Sequence, residues 1–566
     1  MKKATSLLAL MLALVMLLSA CGPAGEPSGT TPADSTDAPG NSDAADDTDS
    51  PDNPDIDENA VVTLALPGGW DSLCPLASTS NNADTAVNTI FENLFEADGK
   101  GGYIGRLGES YEIVDDNTAL VVHLQKNAVW HDGEPFDADD VIFSARLTTD
   151  GSYTTSRRLF FQQMDGCSDS GVELSEDSAH VEKIDDYTVK FYYRQAVSET
   201  AMLYPVTAFF IFPEHILKDA DPATILENDF WVNPIGTGPF TYESTIPGES
   251  LTVAAFDDYY LGKPKFAKLV VKVITSANLV TSMMAGEVDL ITGSLAAISD
   301  ADYDMAAAVD GYTVESVEGV NGHFLCLNNE TFNTPKIRKA LAMMMDKETM
   351  IKAGAGGKGT PAYSMFNGGI YDDKAVSSEY GYEFDPDTAY QMLQEEGFDF
   401  DRTYVACIND LPVRQAMMTV MQETWAKYGM KLEIQTLDTQ TCIATMREGG
   451  CDFWINGTSS ADRTFLWTGF LDWVSIDADG NYAPFNLSKI SDPKLMELAQ
   501  GMTSAITEED LLSVTSEIQK VLLTDYNYIF MITPNINCAV SNRLKGVDKD
   551  QMLAMTLNYC DWEVTA

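Results

Sequence analysis

Basic residues are scarce in this chain: 35 Lys and Arg stand against 86 Asp and Glu, a formal net charge of −51 at pH 7. So acidic a surface repels phosphate backbones and anionic headgroups, which argues against nucleic-acid binding and peripheral membrane adsorption. Histidine is rarer still, five in 566 residues with no two at i,i+4, and no HExxH occurs. No metal constellation is visible and no cofactor is expected. The nine cysteines include no CxxC pair; Cys442 and Cys451 are the only near neighbours, and no disulfide framework follows. Cys326, within Phe324-Leu325-Cys326-Leu327, reads as a small core residue. GxSxG and paired catalytic motifs are absent, so no catalytic residue is assigned. Among 86 carboxylates, close pairs arise by chance and lend a glycosidase no support. Beyond the leader, no run approaches about 18 consecutive apolar residues, so nothing else reads as membrane-spanning.

What is present begins with that leader. Lys2 and Lys3 precede an apolar run from Leu7 to Leu18, then Ser19, Ala20 and Cys21. A basic start, a short apolar segment and small residues before a cut form an export signal over 1–20. LSAC resembles the lipobox of bacterial lipoproteins, which implies lipidation of the Cys21 thiol. The expected place is the outer face of the cell membrane, held by lipid alone, or the periplasm where an outer membrane exists. Residues 22–60 hold six prolines, eleven acidic residues and no Lys or Arg. Such a segment buries too little to offset ordering entropy, so 21–60 is expected to be a disordered acidic linker.

The rest exceeds one core and reads as several domains. Val61–Leu66 alternates into a first strand, and residues 67–82 are turn-rich. Val87, Ile90, Phe91, Leu94 and Phe95 are spaced as one helical face. Strand-like runs at 120–124 and 127–130 lead to the turn His131-Asp132-Gly133-Glu134-Pro135-Phe136. Asp137 with Asp140 then forms a capping box. A second β-rich block covers 183–275. From about 322 strands and helices alternate: Thr334-Pro335 opens a helix through Met350, and Asp385-Pro386 opens another that Gly397 stops. A helix lined by Val413, Met417, Val420 and Met421 ends at Tyr428-Gly429. A strand–helix–strand unit follows over 431–455.

Long segments in consistent order carry a resemblance: GESYEIVDDNTALVVHLQKNAVWHDGEPFDADDVIFS at 108–144, NPIGTGPFTYES at 233–244, YYLGKPKFAKLVVKVI at 259–274 and MAGEVDL at 284–290. LNNETFNTPKIRKALAMMMDKETMI at 327–351, DPDTAYQMLQEEGF at 385–398 and DPKL at 492–495 continue it. They resemble the family 5 extracellular solute-binding proteins of ABC importers, the dipeptide, oligopeptide and nickel receptors. The resemblance implies an α/β, two-lobed, hinge-connected periplasmic-binding-protein-like fold of type II, with three domains. Lobe one would combine 61–99, 183–320 and 531–566, with 100–182 inserted as a β-rich subdomain, and lobe two would be 321–530. Closure about segments near 316–323 and 528–535 would enclose the ligand. The implied function is a monomeric receptor that captures a peptide or similar small solute for an ABC permease and is no enzyme. Nickel chelate, oligosaccharide or signalling peptide is the alternative ligand on the same fold. A secreted lipoprotein hydrolase is the reading from another class, and the missing nucleophile motifs oppose it.

Candidate ligand contacts follow from this placement. In peptide-binding relatives, the strand matching Phe453-Trp454-Ile455-Asn456-Gly457 leads into a Trp- and Gly-rich turn whose aspartate pairs with the peptide's α-amino group. Aligned on Gly457, Ala461 takes the aspartate position and Asp462 lies one residue later, while Thr458 and Ser459 replace the usual tryptophans. Arg463 has two readings, a partner for a ligand carboxylate or a solvated surface charge. Trp70, Asp71, Ser72, Asn81 and Asn82 follow the first strand, where family members face the cleft. Phe366 and Asn367 lie beyond Gly354-Ala355-Gly356-Gly357-Lys358-Gly359. That GxGxxG match follows a helix and so reads as a C-cap, not a dinucleotide site. His131 reads as a turn residue. Asp477-Ala478-Asp479-Gly480-Asn481 lacks the last glutamate of a calcium loop and reads as a solvated turn.

Overall fold

The computed structural model describes residues 56–565 apart from 71, 78–80, 99–101, 156, 169–170, 175–179, 293–297, 320, 368, 410, 460–469, 478–479, 484 and 549–556. Three larger sheets organise the described residues. The first has seven strands in the order Tyr312–Val317, Ile536–Ser541, Leu290–Ile291, Val61–Leu66, Lys268–Val273, Ser250–Ala255 and Phe240–Ile246. Val61–Leu66 pairs in parallel with strands on both sides, and its near-continuous apolar sequence suits that covered position. The second sheet has five strands in the order Lys431–Thr436, Thr403–Ile408, Phe453–Ser459, Asn321–Leu327 and Tyr528–Phe530. Gly108–Val114, Ala119–Leu124, Thr188–Tyr192 and Val181–Asp185 form a third, antiparallel sheet. It runs past the expected boundary at 182/183, because Thr188–Tyr192 pairs with Ala119–Leu124 on one side and Val181–Asp185 on the other.

Local chemistry starts the helices where the sequence indicates. Asp137 accepts from the Asp139 amide and shares a capping box with Asp140 at the start of Ala138–Thr149. Thr334 and Asp385 cap helices with proline in the first turn. Gly397 and Gly429, at φ 71° and 76°, lie just past the ends of Pro386–Glu395 and Pro412–Ala426, in a left-handed conformation that suits glycine. Two expectations need correction. The helix expected to run through Met350 stops at Met343, and Asp346 caps a separate helix, Lys347–Gly354, by accepting from the Thr349 amide. The helical face expected from Val87 to Phe95 ends at Val87, and Phe95 begins a strand. Tertiary hydrogen bonds explain the break: the Gly238 amide donates to Ile90 O at 2.9 Å, and the Phe240 amide donates to Thr89 O at 3.2 Å.

The chain passes between the first two sheets at two places. Tyr312–Val317 leads through residues 318–320 to Asn321–Leu327, and Tyr528–Phe530 leads through Ile532–Pro534 to Ile536–Ser541. Register fixes which edges meet there. Val317 lies opposite Ile536, at the same end of the first sheet as the carboxyl ends of Val61–Leu66 and Leu290–Ile291. Asn321 lies opposite Ser459, at the carboxyl end of Phe453–Ser459, which runs parallel to Thr403–Ile408. Both sheets therefore turn the carboxyl ends of their parallel strands toward the two crossovers.

Candidate functional site

Open α/β sheets bind ligands outside the carboxyl ends of their strands, so the region between these two edges is the candidate site. On the first edge, Trp70 is half-buried against the core. Ser72 Oγ accepts from the Cys74 amide at 2.9 Å and shapes its own turn. Asn82 lies over Gly68, where an added Cβ would meet Asn82 Nδ2 at 2.9 Å; its Oδ1 is buried with no partner. Asn81 opens the helix Asn81–Val87. Asp71 lies outside the described residues.

The second edge carries two faces of one strand. Trp454 and Asn456, two residues apart, share one face and line a small cavity with Cys326, Trp473, Leu487 and Tyr528. Its volume, ≈ 10 Å³, has room for about one water. Trp454 is 2 % exposed and its Nε1 is buried without a partner; Asn456 Oδ1 accepts from the Gly457 amide at 2.9 Å. Thr458 and Ser459 pair their backbones with Gly322 and Asn321. Asp462 and Arg463 lie outside the described residues. Phe366 is buried in the apolar core, whereas Asn367 Nδ2 donates to Thr533 Oγ1 at 3.1 Å, beside the second crossover.

On the opposite face, the sequence reading missed two residues. Arg414, in the first turn of Pro412–Ala426, donates from Nη1 to Asn409 Oδ1 and to Ile455 O, each at 2.9 Å. His323 lies opposite Gly457 in the strand register; its Nδ1 is buried and unpartnered. Burial first, then the Arg414 charge, lowers the His323 pKa to about 3, so the ring is neutral. An arginine inside an otherwise ordinary helix pattern gives no local sign of burial. The available signal was topological: Asn409 directly follows a parallel strand, and the helix after it starts at the carboxyl edge of the sheet.

The other motifs take structural places. His131 Nδ1 accepts from the Gly236 amide at 3.2 Å, and its Nε2 lies 3.0 Å from Gly238 O, fastening one turn to another. Loss of solvent lowers its pKa to about 4. Gly356 and Gly357 take left-handed conformations after Lys347–Gly354, in keeping with a C-cap. Asp477 accepts from the backbone and side chain of Asn481, closing its own turn. Among the described residues no group of His, Cys, Asp and Glu is arranged to hold a metal.

A mixed α/β molecule whose two sheets turn the carboxyl ends of their parallel strands toward one pair of crossovers has the layout of a hinge-linked, two-lobed protein. Comparison places it in a family: residues 102–473 match "Bacterial extracellular solute-binding proteins, family 5 Middle", and the chain belongs to that family. The oligopeptide-binding protein AppA of Bacillus subtilis is 25 % identical over 508 residues, 83 % of this chain and 86 % of that one. The fold matches the ABC transporter substrate binding protein CtaP of Listeria monocytogenes at TM-score 0.76, with 21 % identity over 90 % of this chain and 100 % of the other. NikZ of Campylobacter jejuni, solved with Ni(L-His), matches at TM-score 0.69, with 20 % identity over 89 % and 99 % of the two chains. These neighbours are type II periplasmic binding proteins, and this chain shares their two-lobed fold.

Proposed function

We propose that this protein is the extracytoplasmic receptor of an ABC importer, capturing a peptide or similar small solute between its lobes and delivering it to the permease without chemical change. One observation carries the reading: in a family 5 chain, both sheets direct their carboxyl edges to the same pair of crossovers. The name of AppA, an oligopeptide-binding relative aligned over most of both chains, supports a peptide as the solute. In this reading 61–99, 183–320 and 531–566 form lobe one with 100–182 inserted, save that Thr188–Tyr192 completes the inserted sheet; 321–530 forms lobe two, and the protein acts as a monomer. Lipid on Cys21 would tether it, with the acidic 21–60 segment as spacer.

The test is to purify the protein under native conditions, denature it, and identify what is released by mass spectrometry. Released oligopeptides are the expected result. A nickel chelate or an oligosaccharide would replace the peptide reading with its alternative on the same fold. Turnover of added peptides or glycosides would overturn the receptor reading itself.

A further inference from the structure

The glycine-rich run from Gly354 to Gly359 ends a helix, and it also bridges the two halves of the molecule. The helix Lys347–Gly354 buries Met350 and Ile351 in the apolar cluster around the second sheet. Past its end, the Ala355 and Gly357 amides donate to Ile351 O at 2.9 and 3.1 Å, and the Lys358 amide donates to Ala355 O at 2.6 Å. The run then joins the second crossover. There the Asn535 amide donates to Lys358 O at 3.2 Å, and Gly359–Pro361 pairs with Ile532–Pro534. The loop is thus tied at both ends, which fixes where Lys358 starts. What it faces belongs to the first sheet. Tyr303 opens the helix Tyr303–Ala307, whose Ala306 is buried with Ala65, Ile291 and Ala539 of that sheet. Asp300 Oδ1 accepts from Asn537 Nδ2 at 2.8 Å, on the strand Ile536–Ser541.

Lys358 reaches from one half to the other. Its Nζ lies 3.4 Å from the centre of the Tyr303 ring, well inside the range in which an aromatic face holds an ammonium. The Asp300 carboxylate acts on the same charge. A Cβ on Gly356, at φ 53°, would lie 2.7 Å from Asp300 Cβ, so glycine there lets the loop come this close. The contact belongs to a closed arrangement, because one cluster of buried apolar side chains runs unbroken from Phe191 of the inserted sheet to Trp454 of the second sheet. We propose that the run 354–359 is an interlobe clasp: Lys358, seated on Tyr303 beside Asp300, holds the lobes together and so sets how often the empty receptor opens. Its two sides ride on different sheets and must separate when the lobes part about the crossovers. The contact therefore stabilises the closed state and not the open one.

The clasp needs only the two-lobed fold and is tested without solute, so its failure leaves the receptor reading standing. Ligand-stripped full chain is compared by small-angle scattering and thermal melting for wild type, Lys358→Gln, Tyr303→Leu, Tyr303→Phe and the double variant Lys358→Gln with Tyr303→Leu. Losing a contact of this kind should raise the open-to-closed ratio by roughly twofold to fivefold. Lys358→Gln and Tyr303→Leu should therefore each show a larger radius of gyration than wild type. The double variant should match Lys358→Gln, because both substitutions break one contact. Tyr303→Phe keeps the ring and should match wild type. Wild-type radii in both single variants overturn the clasp even where melting temperatures fall, since lost local packing alone lowers those. A double variant more expanded than Lys358→Gln overturns it too, as does a Tyr303→Phe that expands like Tyr303→Leu. Should Tyr303→Leu fail to fold, the pair Lys358→Gln and Tyr303→Phe still decides: the first must exceed the wild-type radius and the second must keep it.

Discussion

Glu92 is 5 % exposed. Its Oε1 accepts from Tyr259 OH at 2.6 Å and from Tyr260 OH at 3.1 Å, while Oε2 is buried with no partner. The nearby Arg106 guanidinium is occupied by Glu96 at 2.7 Å. Burial outweighs the tyrosine hydrogen bonds and raises the carboxyl pKa to about 7. Its ordinary value is 4.5, so the folded state holds the proton more tightly than the unfolded chain. The stabilisation from that proton is complete below pH 4.5 and lost as pH rises through about 7. Glu92→Gln keeps an acceptor for both tyrosines and never ionises. Its melting temperature relative to wild type should therefore climb between pH 5 and pH 8, by an amount worth about 3 kcal/mol at most. A difference that does not change with pH would show that Glu92 does not titrate in this window.

Elements in this molecule are started locally and ended by their neighbours. The capping signals at Asp137, Thr334 and Asp385 were legible because each acts within three residues of its own backbone. The early stops at Val87 and Met343 were harder to read, since partners at Gly238 and Phe240 intervene in one case and a second cap at Asp346 in the other. The site divided in the same way. Trp454 and Asn456 could be placed from strand alternation, but the burial of Arg414 depends on Ile455, Gly457 and His323, which meet only in the folded sheet. The crossovers are the tightest case of dependence on distant partners: a Cβ on Gly319 would lie 1.9 Å from Pro534 O, backbone against backbone. Gly319→Ala must push the two crossovers apart. The expected outcome is a lower melting temperature together with weaker solute binding by calorimetry, although residue 319 belongs to neither candidate edge. Unchanged binding and melting would mean that the crossovers separate freely.

At the scale of the whole molecule, anchoring and closure are separate properties. If lipid on Cys21 is the tether, Cys21→Ala should leave solute binding intact and move the protein from the membrane fraction to the soluble one. Retention in the membrane would refute the anchor. Closure rests on the packing between parts. One cluster of buried apolar side chains runs from Val122 and Phe191 of the inserted sheet, through Met202, to Phe366, Trp454 and Trp473 around the second sheet. Parting the lobes about residues 318–320 and 531–535 would expose some of that surface. An empty receptor therefore has an apolar reason to close. A solute that touches both lobes only in the closed form adds to this, because a ligand shifts a conformational equilibrium by its differential affinity for the two states. Small-angle scattering on the ligand-stripped chain should give a smaller radius of gyration when the solute identified by mass spectrometry is added. Identical profiles for wild type with and without saturating solute would rule out closure as the means of capture.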